Sequence, residues 1–356
     1  MQYFKLYFKK VFYFIDPSFN KKIFIISILI FLNMFLELIS IGLIFPLTGI
    51  ILDPSFLDNY PFIKNFFYLI SPFKFLEVDY TFHIISGSIL VFLFLIIFKN
   101  IFIFFYNVYR ENFIYKLQSD LRVKSLQRLI QLPYDKFLKE NNADLITKSS
   151  HLPNIATAVE SALIIVTEGI VLLSFIVLFF FIDPLSSSMI IFIIFSGVFL
   201  LSQTTKKKLL HYGEERRVNE TLQFNFLSNI LQGIKEIKLF NSNQYFLSFF
   251  KIHTKKALYA SKKFNVISLS PRLVLEIILA FSLCVVLIKG LLLNNDYKLI
   301  ISTTAVFMAS AIRLMPSLNK IIMSVNNIKY YETSISKLFD HEKKLRSYSQ
   351  QDKELI

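Results

Sequence analysis

The chain has 356 residues, 54% of them apolar, with 41 phenylalanines and a formal net charge of +14. A mean hydropathy of +0.54 excludes an ordinary soluble globular domain. The single cysteine, Cys284, excludes an intrachain disulfide framework and a thiol metal site.

Residues 2–16 alternate lysine with tyrosine, phenylalanine and leucine, so 1–21 is read as an amphipathic helix lying at a membrane interface. Six apolar windows follow, at 22–52, 82–108, 162–182, 185–203, 264–293 and 299–327. At 1.5 Å of rise per residue, about 20 apolar residues cross the hydrocarbon core, and all six windows qualify. The run at 23–32 continues into the first span without a small-residue cleavage pattern, so no removable signal peptide is expected. Asp183-Pro184 divides the third window from the fourth, supplying a charge and a helix stop in a tight turn. After span one, residues 60–70 are too short to cross and predict a helix on the membrane surface, Pro61 near its start and Ser71-Pro72 at its end.

Two long basic intervals, 109–161 and 204–263, separate the spans. Leu117, Leu121, Leu126, Leu129 and Ile130 recur at helical steps among charges. Leu132-Pro133-Tyr134-Asp135-Lys136-Phe137 interrupts the pattern, and a second helical run resumes at Ala143. The later interval repeats the design with a break around Gly233 and Asn241. Each interval predicts two helices extending the spans by about 30 Å, joined by a short crossing helix. The six-span domain is therefore placed at 22–327 and a charged tail at 328–356. The fold class expected is an all-α membrane protein with six transmembrane helices and long helical extensions.

Charge placement sets the expected orientation. Lys5, Lys9, Lys10, Lys21 and Lys22 precede span one, and twelve Lys and Arg residues fall in 204–263. The 53–81 loop carries only Lys64 and Lys74 against Asp53, Asp58, Glu77 and Asp79. The positive-inside rule then places both termini and both long intervals in the cytoplasm. The basic balance reads as membrane orientation, with no nucleic-acid partner.

Ionisable side chains deep in the windows are Glu37, Lys99, Glu168, Arg272, Glu276 and Arg313. Each costs a few kcal/mol unless it meets a polar cavity or partner. Lys99, Arg272 and Arg313, with Glu276 beside Arg272, form the candidate substrate-binding set. Three cations suit an anionic headgroup, whose phosphate oxygens accept charge-assisted hydrogen bonds. Bland alternatives stand beside this. Arg272 and Glu276 are four apart on one helical face and can neutralise each other. Lys99 and Arg313 can snorkel to the interface. Glu37 and Glu168 fit structural contacts, gating pairs or proton sites equally well. Pro271 and Pro316 predict kinks beside the cations. His83, His151, His211, His253 and His341 lack ligand spacing, so no metal site is expected, and no nucleophile–base arrangement points to an enzyme.

The alternation of short turns with long helical hairpins resembles the type I ABC exporter transmembrane domain. Leu231-Gln232-Gly233-Ile234-Lys235-Glu236-Ile237-Lys238-Leu239-Phe240, with Tyr245-Phe246 and Phe249-Phe250 behind, is similar to that family's second intracellular loop. Leu132–Phe137 followed by Asn142-Ala143-Asp144-Leu145-Ile146 is similar to the first, without a glycine common there. Ser270-Pro271-Arg272-Leu273 with Glu276, and Arg313-Leu314-Met315-Pro316-Ser317-Leu318-Asn319-Lys320, narrow the likeness. Together with the surface helix they resemble the lipid-linked oligosaccharide flippases of bacterial glycosylation, over residues 1 to about 335.

The resemblance implies a half-permease in the bacterial cytoplasmic (inner) membrane that pairs with a second copy of itself. It implies coupling to a nucleotide-binding ATPase subunit through Tyr134, Phe137, Leu145, Ile234, Ile237 and Phe240, with ATP and Mg acting through that partner. The implied cargo is a pyrophosphate-linked glycan on a polyprenyl tail, its pyrophosphate held by the cations and its tail met by the surface helix. One departure is large. The eight glycines, at 42, 49, 87, 169, 197, 213, 233 and 290, include no G-x-x-x-x-G-K-[ST] spacing, and no Ser-Gly-Gly signature occurs. The ATPase is therefore expected on a separate polypeptide or lost by truncation. Rival expectations are a proton-driven carrier using Glu37 and Glu168, and a remnant that transports nothing.

Overall fold

Long apolar runs with few breakers favour long helices, because only a helix satisfies every backbone group within one membrane-crossing segment. The computed structural model describes residues 10–11, 13–52, 61–70, 80–131, 133–137, 142–292 and 297–351. Its helices are α1 (Asn20–Gly42), α2 (Ile44–Leu52), α3 (Pro61–Ile70), α4 (Tyr80–Ile130), α5 (Tyr134–Phe137) and α6 (Asn142–His151). They continue as α7 (Pro153–Ile182), α8 (Pro184–Gln232), α9 (Ile234–Leu239), α10 (Asn243–Leu292) and α11 (Tyr297–Gln351). No strand occurs among the described residues.

The breaks fall where the backbone chemistry requires them. Asp183 takes an extended conformation, and its carboxylate accepts from the Leu185 and Ser186 amides, capping α8 behind Pro184. Lys289 Nζ lies 2.6 Å from Asp183 Oδ2 and ties the end of α10 to this turn. At the far end of the hairpin, α9 runs between Gly233 and Phe240, and Asn241 takes a left-handed φ of 52°. The first apolar window, expected as one span, divides at Leu43. Pro46 has no N–H to donate to the Gly42 carbonyl, while Leu43 and Leu47 keep their i→i−4 bonds on either side. By contrast α10 and α11 run unbroken through Pro271 and Pro316.

With 51 residues, α4 is about 75 Å long, far more than a bilayer core requires. The same holds for α8, α10 and α11, so each carries an apolar part and a polar extension. Five helical stretches among the described residues are long and apolar enough to cross: 17–40, 82–130, 148–181, 184–232 and 243–292. The sixth window of the sequence, 299–327, forms the first half of α11.

The most extensive pairing joins α8 to α10, and α7 packs closely on α11. On α10 the buried residues Ala257, Ala260, Ser268, Pro271, Leu275, Leu279, Ser282, Val286 and Gly290 recur at three- and four-residue steps, with one gap of eight after Ala260, and form one narrow face of mostly small side chains. Two apolar cores result. One, in the extensions and adjoining spans, gathers Ile30, Phe113, Leu117, Ile155, Ile328 and Ile335 from α1, α4, α7 and α11. The other, toward the Asp183 turn, gathers Phe175, Phe179, Ile190, Val286 and Phe307.

The expected interfacial helix at 2–16 lies partly outside the described residues. Its described end packs against the extensions: Val11 and Phe14 are buried, Lys10 donates to Ser336, and Lys124 pairs with Asp16. The expected boundary at 328 falls inside α11, which stays helical and buries Tyr330, Ile335 and Leu338 beyond it. Residues 53–60 and 71–79, the rest of the loop around α3, lie outside the described residues.

Candidate functional site

Between the two apolar cores lies a continuous chain of charged and polar side chains drawn from four helices. Glu37 on α1 is fully buried and accepts from Arg313 on α11 with both carboxylate oxygens: Nε to Oε1, and Nη2 to Oε2 at 3.2 Å. Lys99 on α4 lies 3.6 Å from the same Oε1. Arg313 Nη1 also reaches Ser317 Oγ at 3.4 Å. Ser317 in turn donates to Glu168 Oε2 on α7 at 2.6 Å, and Lys320 Nζ lies 2.7 Å from Glu168 Oε1. One residue before Glu168, the Thr167 hydroxyl shares a 2.8 Å bond with the buried Tyr106 hydroxyl.

Helical periodicity explains why α11 can serve both carboxylates. Arg313, Ser317 and Lys320 stand at steps of four and three residues and share one face. The forked guanidinium suits a carboxylate in two-point contact, whereas the Lys320 ammonium makes a point contact on a longer stem. An unpaired charge at span depth costs about 3 kcal/mol, and here each carboxylate has at least one cation within 4 Å. Three cations face two carboxylates, which leaves the cluster one positive charge in excess. Lys320 is its most open member, with 53% of its side chain exposed.

Two of the four expected substrate-binding residues, Lys99 and Arg313, therefore meet at one carboxylate. Arg272 and Glu276 do not join them. Both lie on an exposed face of α10, one residue round from the buried Pro271 and Leu275. Their four-residue spacing puts them on the same face, yet neither makes an ion pair or side-chain hydrogen bond among the described residues.

The expected coupling residues occupy the ends of the helical extensions and divide by exposure. Tyr134, Ile234 and Phe240 are exposed, Phe137 is half-buried, and Leu145 and Ile237 are buried. Leu231, Leu239 and Tyr245, which the sequence patterns did not single out as contacts, are also exposed around α9. Ser317, Lys320, Thr167 and Tyr106 were likewise missing from the expected site. The spacing of Ser317 and Lys320 from Arg313 was a readable signal. The Thr167–Tyr106 contact had none, because it depends on which faces of α4 and α7 meet.

Comparison with known proteins bears on the fold that carries this cluster. The ABC transporter transmembrane region family matches residues 23–317. Among solved structures, the chain is similar to a bacterial Atm1-family ABC exporter with ATP bound, at 12% sequence identity and a TM-score of 0.67. The match covers 91% of this chain and 54% of that one, so the chain spans about half the exporter's length. At that identity the likeness speaks for the fold alone.

Proposed function

The chain belongs to the family of ABC transporter transmembrane regions, and from that premise we propose that it is the permease half of an exporter for an amphiphile with an anionic head. The observation that carries this reading is the cluster of Lys99, Glu37, Arg313, Ser317, Glu168 and Lys320, built on two buried carboxylates and carrying one excess positive charge. A phosphate or pyrophosphate entering the cluster competes with Glu37 and Glu168 for the same cations. Each exchange of partners changes which helices are tied together, and that difference lets ligand binding bias one conformation over another. A lipid-linked oligosaccharide combines the anionic head with the hydrocarbon that a membrane-embedded site requires.

The engine in this proposal is a nucleotide-binding ATPase subunit docked on the exposed apolar residues at the extension ends, Tyr134, Ile234, Leu239 and Phe240 among them. Two copies of the chain form the pathway. Support for the pairing comes from Arg272 and Glu276, whose charges stand on the apolar part of α10 without partners among the described residues; facing lipid would be costly. The extensions lie in the cytoplasm of a bacterial inner membrane, by the distribution of Lys and Arg.

Gentle affinity purification from native membranes tests the reading, followed by an ATPase assay and reconstitution with a lipid-linked oligosaccharide. Expected are a dimer, a stoichiometric ATPase subunit with vanadate-sensitive turnover, and ATP-dependent flipping that Arg313→Ala abolishes. Flipping that ignores ATP and collapses with an uncoupler would transfer the case to a proton-driven carrier. A dimer with no ATPase partner and no flipping would overturn the proposal.

A further inference from the structure

An apolar cavity of about 230 Å³ lies between α7, α8 and α11. All twelve residues lining it are apolar, among them Phe175 and Phe179 on α7, Ile190 and Ile194 on α8, and Leu314 and Leu318 on α11. It is open on one side, where Phe195 is exposed, and within the membrane that opening meets lipid, while water inside would find no hydrogen-bond partner. It takes hydrocarbon.

One end of the cavity adjoins the charged cluster. Leu172 lines it one helical turn from Glu168, and Ile321 lines it one turn from Ser317, while Ser317 and Glu168 are hydrogen-bonded to each other. Beside them stands Lys320, half-exposed and bonded to Glu168 Oε1. An ammonium has three donors, so it can hold Glu168 and a second anion together. A cavity that excludes water thus ends at a site with surplus positive charge.

We propose that this cavity holds the hydrocarbon tail of an anionic lipid whose phosphate sits on Lys320. The ligand class rests on the amphiphile reading given above, but the site requires only binding and not transport. A free phosphate would gain nothing from the cavity, and a zwitterionic lipid would gain little from the surplus charge.

Photolabelling of the purified full chain in phosphatidylcholine nanodiscs tests the site. The probes are phosphatidic acid and phosphatidylcholine carrying the same photoactivatable tail, with labelled peptides mapped by mass spectrometry. The phosphatidic acid probe is expected to label 172–179, 190–198 and 314–321 about tenfold more than the phosphatidylcholine probe, the worth of one charge-assisted hydrogen bond. Lys320→Gln should erase that preference and Lys320→Arg should keep it. Ile194→Trp, which fills the cavity, should reduce labelling of 172–179 and 314–321 by both probes. Equal labelling by both probes would mean bulk lipid only, and a preference surviving Lys320→Gln would place the anion elsewhere. Cross-links from these segments to a second copy, without lipid label, would make the cavity an interface between copies. Any of these three results overturns the proposal. Anion-selective labelling without ATP-driven flipping would leave the site standing and remove the exporter reading; flipping without selective labelling would do the reverse.

Discussion

Glu37 is the side chain on which the spans most depend, because it has no exposed surface and its charge is met from two other helices. Arg313→Ala removes its two-point partner and leaves only Lys99 at 3.6 Å. The expected cost is about 3 kcal/mol, read as a lower thermal midpoint in detergent. Replacing both groups, Glu37→Leu with Arg313→Leu, should cost less than the two single losses summed, since Glu37→Leu alone strands both Arg313 and Lys99 whereas the double replacement strands only Lys99. Additive losses would show that the two are not coupled. Lys329 is the opposite case. It is 8% exposed and makes no hydrogen bond or ion pair among the described residues; burial, aided by the charge of Lys206, holds its ammonium below the usual lysine range. The folded chain therefore binds this proton less tightly than the unfolded chain. Stability is diminished at neutral pH and recovers as pH rises toward 10.5, the ordinary lysine value. Lys329→Met should raise stability by on the order of 1 kcal/mol and flatten that alkaline rise. A pH–stability profile identical to that of the parent chain would contradict this account.

At the scale of elements, the helices hold together through close backbone approach as well as apolar packing. A Cβ added at Gly213 on α8 would overlap the Tyr330 carbonyl on α11, and one at Gly87 on α4 would overlap the Phe67 carbonyl on α3. Around Gly213, Phe264 stacks on Tyr330 at 4.0 Å between ring centres, and the Arg216 guanidinium lies over the same ring. Gly213→Ala is expected to wedge α8 from α11 at a cost of about 1–3 kcal/mol. Because both helices run from the spans to the extension ends, the same variant should slow any ATPase turnover that depends on them. Thermal unfolding and turnover measured together check this. Lost stability with normal turnover would mean that the contact holds the fold without relaying motion. The hairpin ends were legible in sequence for a simple reason. Gly233, Asn241, Pro133 and Asp183-Pro184 act locally, through a missing donor, a cap or a left-handed backbone. The division at Leu43 was equally local and went unread, because the apolar run around Pro46 looked like one span.

For the whole molecule, the open question is where Arg272 and Glu276 point when the permease is assembled. The dimer proposed above requires them to face the second copy across the pathway, and cross-linking tests that. With Cys284→Ser as background, Arg272→Cys should yield a cross-linked dimer with a short bis-maleimide. The same cysteine at Phe94, an exposed site on α4, should yield none. Cross-linking at 94 and not at 272 would place the interface on the other side of the bundle.

The sequence by itself determined that this chain crosses a membrane, where most of its helices stop and which segments carry ionisable residues at span depth. Those properties depend on the composition of single segments and on chemistry within a few residues. Only the tertiary structure decided which charges meet. Lys99 and Arg313 converge on Glu37 while Arg272 and Glu276 stay apart, and Lys320 joins through Glu168. No periodicity on one helix fixes that outcome. It depends on how α1, α4, α7 and α11 are rotated against one another, and the packing of two apolar cores on either side of the charged layer sets that rotation.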